Sequence, residues 1–323
     1  MALATKTAAA EPSRAASKNP ASFRTRLWKD LRKNYSAYLI ILPAVLFYLL
    51  FCYKPMYGVI IAFKDFSPGR GILGSPWVGL KHFKAFFNSY YFWRLLRNTL
   101  SVSLSSLLWG FPAPIILALL MNEIRRTWFK RVVQTVTYMP HFVSLVVVCS
   151  LVKIFTADTG FIVQLMSLFG FEPVSLLSKS SYFVPVYVVS GIWKEVGWGT
   201  IIYLAALTGI DPSLYEAARI DGANRWKQTL HVTLPSIVGT IIILFIMQMG
   251  NIMSVGYEKV ILLYNNGILD KADVISTFVY RKGLQDFQWS YSAAVGLFNS
   301  FINFTLVFLT NKISKKVSNI SLW

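Results

Sequence analysis

An all-α integral membrane protein, a bundle of six transmembrane helices with a helical loop on its cytoplasmic side, is the fold class this sequence predicts. Three observations carry that expectation. Of 323 residues, 55% are hydrophobic and 14% are charged, well below the roughly 25% charged fraction of an ordinary soluble domain. The apolar residues come in blocks of about twenty, the length that spans a hydrocarbon core as helix, rather than at the period of a surface helix or strand. Lys and Arg cluster beside these blocks at alternate ends, as membrane insertion requires of short cytoplasmic flanks.

Taken in order, residues 1–23 are rich in Ala, Ser, Thr, Lys and Pro and carry no apolar core of a cleavable signal peptide. They read as a disordered cytoplasmic tail. Over 24–35, Leu27, Trp28, Leu31 and Tyr35 recur at helical spacing between Arg24, Arg26, Lys29, Arg32 and Lys33. That pattern fits an amphipathic helix on the membrane surface, and equally a solvated linker. The transmembrane domain is expected over 36–323, with spans at Ser36 to Phe51, Thr99 to Met121, Val132 to Leu151, Tyr182 to Leu207, Ile237 to Met253 and Tyr291 to Leu309. Pro43, Pro112, Pro114 and Pro140 fall inside these spans and predict kinks rather than breaks, because neighbouring helices or water can satisfy the freed carbonyls. With the N-terminus cytoplasmic, the inner segments hold 18 Lys and Arg, and the outer stretches 64–97, 179 and 259–282 hold 11, spread over longer loops. Both termini are therefore expected in the cytoplasm.

Several function classes drop out. A formal charge of +18 would suggest nucleic acid in a soluble chain, but here it is the charge that orients membrane helices. Cys52 and Cys149 lie within apolar blocks, and His82, His141 and His231 show no paired spacing, so no metal site is expected. No Gly-Lys dipeptide occurs, which removes the phosphate-cradling loop of nucleotide-binding proteins. A membrane enzyme acting on lipid-linked sugar would have Glu195, Asp158 and Glu258 as its available acids and bases. These form no recognisable constellation.

The informative loop is 209–235. Asp211 can cap a short helix with Pro212 at its first position, and Gly222 can supply the left-handed turn that ends it. Leu214, Ala217 and Ala218 share one face of that helix, and Trp226, Leu230 and Leu234 repeat every four residues on a second. Its three acidic and three basic residues balance, which suits docking on a protein better than lying on an anionic membrane.

Glu216-Ala217-Ala218, Asp221-Gly222-Ala223 and Leu234-Pro235, placed between spans, resemble the coupling loop of importer-type ATP-binding-cassette (ABC) transporter permeases. The likeness covers most of the chain. Tyr138-Met139-Pro140-His141-Phe142, Ile192 to Gly199 and Asp273 to Arg281 resemble the polysaccharide-uptake branch, which includes the first permease subunit of bacterial alginate importers. The resemblance implies that Glu216, Ala217, Ala218, Asp221 and Gly222 carry the movement of the ATPases to the membrane helices. It also implies a second homologous permease, two cytoplasmic ATPase subunits that hold ATP and Mg, an external solute-binding protein, a saccharide substrate and a bacterial inner-membrane location. No cofactor is then expected on this chain.

Lys194 and Glu195 sit in mid-span, where ionisable groups are costly and face a cavity or a partner. Adjacent residues lie about 100° apart on a helix, so the two are expected to point to different places. Trp193 and Trp198 flank them, and aromatic faces beside polar groups complement a sugar ring. Trp193, Lys194 and Trp198, with Gln248, Asn251 and Tyr257 from the following span, are the candidate substrate path. The alternative is that the tryptophans pack between helices and Lys194 is a structural ion pair. Lys194 in the path would favour an acidic polymer.

Overall fold

The computed structural model describes residues 23–323, so the expected tail lies outside the described residues apart from Phe23. The described chain is helical apart from loops and one isolated antiparallel bridge between Lys64 and Trp77. It falls into two units that meet in sequence at Gly58 and Val59. The first holds α1 (Phe23–Lys33) and most of α2 (Tyr35–Phe63). None of Tyr35–Phe47 is buried by protein, although this stretch is among the most apolar in the chain.

The second unit contains α3 (Tyr91–Glu123), the bent pair α4 (Thr127–Phe142) and α5 (Leu145–Phe155), and α6 (Phe183–Thr208). These are followed by α7 (Pro212–Ile220), α8 (Arg225–Met249), α9 (Tyr257–Leu263), α10 (Ile275–Tyr280) and α11 (Trp289–Ser318). Among the described residues four helices, α2, α3, α8 and α11, are long and apolar enough to cross a membrane, and five if the bent pair counts as one. Helix α6 has 26 residues, about 39 Å at 1.5 Å per residue, but carries Lys194 and Glu195 at mid-length.

The prolines behave in two ways. Pro55, Pro112 and Pro235 each follow, by two residues, the end of a wide i→i+5 turn, at Tyr48–Tyr53, Ser106–Gly110 and Thr229–Thr233. Such a turn moves the preceding carbonyls away from the proline ring, so the helix continues despite the missing N–H. The chain also stays helical through Pro43 and Pro114. Pro140 differs from the expected kink. The chain tightens over Met139–Phe142, Val143 is extended, and Ser144 begins a new helix by accepting the Val147 N–H, so α4 and α5 meet at 103°. The third span, expected to be kinked, is therefore a broken one, because a serine cap two residues after the tight turn starts a helix in a new direction.

Helix α6 is the centre of the second unit. A Cβ on Gly197 would overlap the Thr137 carbonyl of α4, and one on Gly199 would lie 3.0 Å from the Pro114 ring of α3. Two glycines two residues apart thus let α6 approach both neighbours closely, the small-residue packing of membrane helices. Ile115, Ala118, Tyr203, Leu207 and Ile237 fill one core cluster, and Phe86, Leu95, Met253, Ile275, Phe278 and Val295 another. Asp273, 1% exposed, holds α10 in place: it pairs with Arg281 at 2.7 Å and Arg94 at 3.3 Å, and its Oδ1 accepts the Thr277 hydroxyl at 2.9 Å.

Candidate functional site

The loop between α6 and α8 is ordered from its ends inward. Asp211 Oδ1 accepts the Ser213 N–H at 2.9 Å with Pro212 at the first helical position, and that bond holds the Asp211 carboxyl below the usual carboxylate range. At the other end the Ala223 N–H reaches the Ala218 carbonyl at 2.8 Å and the Gly222 N–H the Arg219 carbonyl at 3.0 Å, with Gly222 at φ +74°. This is the left-handed closure that glycine permits without strain. The second short helix expected in the loop is instead the start of α8: Asn224 caps it by accepting the Lys227 N–H, and the helix runs on through the wide turn to Met249.

Helix α7 is fastened to the rest of the unit at few points. The Tyr215 and Thr233 hydroxyls lie 3.0 Å apart and Gln228 Nε2 donates to the Ala223 carbonyl just after α7 at 2.7 Å, while the start of α8 is itself tied to the end of α3 by Arg225 and Glu123 at 3.2 Å. Glu216, Ala217, Asp221 and Gly222 are exposed and Ala218 is half-buried. Ile220 and Trp226 are 87% and 70% exposed, an apolar surface beside three carboxylates.

The second site is a cavity of about 650 Å³ between α3, α6, α8 and α9. Of the six expected path residues, Trp198, Gln248 and Asn251 line it, and Trp193, Lys194 and Tyr257 do not. Lys194 turns away: its Nζ donates to the His141 carbonyl at 3.0 Å and to Glu195 Oε1 at 2.9 Å. Glu195 Oε2 meets His141 Nδ1 at 2.7 Å. The expectation that adjacent Lys194 and Glu195 point to different places is corrected, since both side chains are long enough to converge on His141. Tyr257 is not on the following span, because α8 ends at Met249 and Tyr257 opens α9. It stacks on Tyr280, ring centroids 5.4 Å apart, at a different cavity.

Trp198 is held by His141, whose ring is parallel to it at 4.3 Å. The broken span thus has a local use: the turn at Pro140 delivers His141 to α6, where it clamps Glu195 and supports Trp198. Two cavity residues escaped the sequence reading as path candidates. Glu195 was visible as a mid-span acid, and Lys259 as a basic residue in the apolar run Tyr257-Glu258-Lys259-Val260-Ile261-Leu262-Leu263.

A helical membrane bundle with a polar-edged cavity and an exposed helix attached at few points is the architecture of a transport subunit. The chain belongs to the family of inner membrane components of binding-protein-dependent transport systems, whose model matches residues 110–319. It is thus a multi-pass inner-membrane permease of the carbohydrate-uptake ABC importers, not a catalytic subunit. It is 47% identical over 294 residues to the polygalacturonan/rhamnogalacturonan transport system permease protein YteP of Bacillus subtilis (strain 168), covering 91% of this chain and 92% of that one. Among solved structures it is similar to a bacterial ABC transporter involved in the import of the acidic polysaccharide alginate, at 42% identity and TM-score 0.83, over 91% of this chain and 99% of the other. It is also similar to a bacterial alginate ABC transporter in complex with an alginate pentasaccharide-bound periplasmic protein, at 40% identity and TM-score 0.84, over 92% and 100%. Glu195, the acid an enzyme reading would need, has both oxygens engaged, by Lys194 and His141.

Proposed function

We propose that this chain forms half of the passage for an acidic oligosaccharide or polysaccharide, of the pectic or alginate kind, and works by alternating access. Six spans, with the bent pair as one and α6 as another, place both termini and α7 in the cytoplasm. A second homologous permease completes the passage, two ATPase subunits that carry ATP and Mg take up α7, and an external solute-binding protein delivers the saccharide. The relatives' stated substrates support the chemical class.

The observation that carries this reading is α7 itself. An apolar and acidic helix, capped at both ends and attached to the bundle at few points, is built to be gripped and moved as a body. Glu216, Ala217, Ala218, Asp221 and Gly222 are its contact surface. Movement of α7 passes to α8 through Tyr215 and Thr233, and from α8 on to α3 through Arg225 and Glu123. Both helices carry cavity residues, so a displacement of α7 changes the cavity's shape. The free energy comes from the ATPases, whose two states must bind α7 differently for the bundle to shift. Trp198, Gln248 and Asn251, on α6, α8 and the turn after it, offer one aromatic face and two amides to a sugar.

The test is ATP hydrolysis by the complex purified in lipid with its partner subunits, with and without saccharide-loaded binding protein. Wild type is expected to respond to the loaded protein. Gly222→Pro, which cannot adopt the positive φ of this turn, is expected to lose that response while the complex still assembles. An assembled Gly222→Pro complex that responds like wild type would remove the coupling role, and a complex that recruits no ATPase would remove the reading altogether.

A further inference from the structure

The cavity wall holds an unusual cation. Lys259 lies on α9, and its Nζ donates to the Tyr187 carbonyl at 2.7 Å and sits 4.3 Å from the centre of the Tyr187 ring. Tyr187 and Gly191 of α6 line the same cavity, and a Cβ on Gly191 would lie 3.0 Å from the ammonium. The absence of a side chain there leaves the room the ammonium occupies. Among the described residues no carboxylate lies within 4.0 Å of it. The one cavity acid, Glu195, has given its oxygens to Lys194 and His141.

A lysine in such a place is costly. An ammonium has three N–H donors, and here one has a protein acceptor, while the ring face offers only weak compensation. Lys259 lies outside the spans, on the wall of the cavity, and a cation that lines a cavity with no anion beside it is placed to meet an anionic ligand. The charge count of the cavity points the same way: Lys194 and Glu195 cancel, and Lys259 remains.

We infer that Lys259 is the residue through which the cavity prefers a carboxylate-bearing sugar, a uronate, over its neutral counterpart. Lys194, the basic residue that the sequence singles out, does not have this part, because its charge is spent on Glu195. This inference rests on the transport reading above and names the substrate chemistry of the same cavity. A uronate carboxylate would take the free N–H groups of Lys259, while Trp198, Gln248 and Asn251 meet the ring and hydroxyls that acidic and neutral sugars share.

The experiment uses the assembled transporter in nanodiscs without binding protein, so that the binding protein's own selectivity does not enter. Equilibrium binding of an oligogalacturonate is compared with that of the same oligomer fully methyl-esterified. Wild type is expected to favour the acid by about tenfold or more, the scale of one desolvated charge pair, and Lys259→Met to bring the ratio close to one. Lys259→Arg is expected to keep more of the ratio than Met does. A wild-type ratio near one overturns the inference without recourse to any variant, as does a Lys259→Met protein with the wild-type ratio. Wild type that binds neither oligomer overturns the proposed pectic substrate of this cavity, and the inference with it.

Discussion

Gly197 sits where α6 touches the backbone of α4, and there the size of one methyl group decides the packing. Its would-be Cβ crowds the Tyr138 ring and overlaps the Thr137 carbonyl, which cannot move without shifting the helix that carries His141. Gly197→Ala is expected to lower stability by about 1–3 kcal/mol, the usual cost of overpacking a close contact. It should also loosen the His141 clamp on Glu195 and Trp198. A thermal unfolding midpoint equal to wild type would show that α4 and α6 do not meet this closely. Asp273 is a residue of another kind: a buried carboxylate between two arginines, whose charge is needed because theirs is there. The sequence displayed this Asp and both Arg residues, but no spacing rule joins Arg94 to a residue 179 positions later.

At the scale of the element, α7 was legible almost to the atom, because caps are local: Asp211, Pro212 and Gly222 act on their immediate neighbours. The Asp211 carboxyl, depressed by the Ser213 N–H, stabilises the folded helix fully above the ordinary carboxylate pKa of about 3.9. That contribution is lost as pH falls through the lowered folded value. Amide exchange at Ser213, corrected for its intrinsic rate, should therefore show constant protection from neutral pH down to about 4 and a fall below it. Asp211→Asn should keep the cap without the pH dependence, and identical profiles in the two proteins would exclude the carboxylate as the titrating group. The α4–α5 break was not legible. Pro140 looked like Pro112, and what separates them is the wide turn before one and the serine cap after the other.

On the scale of the whole molecule, the proposed six-span arrangement would make α7 and the Lys81–Phe87 helix face opposite sides of the membrane. In a cysteine-free background, Ile220→Cys should react with a membrane-impermeant maleimide in inside-out vesicles and be shielded when the ATPases are bound. Lys84→Cys should react only in right-side-out vesicles, and labelling of both from one side would refute the topology. The sequence by itself determined the solvent, the helical class and the capped helix α7. Hydropathy, charge asymmetry and helix caps depend on composition and on residues a few positions apart. The tertiary structure alone decided which ionisable residues reach the cavity. It turned Lys194 aside to His141, placed Glu195 and Lys259 on the wall, and sent Tyr257 to another cavity. The physical reason is that a charge in a membrane protein goes to the partners that offset its burial, and for Lys194 these are the adjacent Glu195 and the His141 carbonyl 53 residues away, across a bend that no local rule predicts.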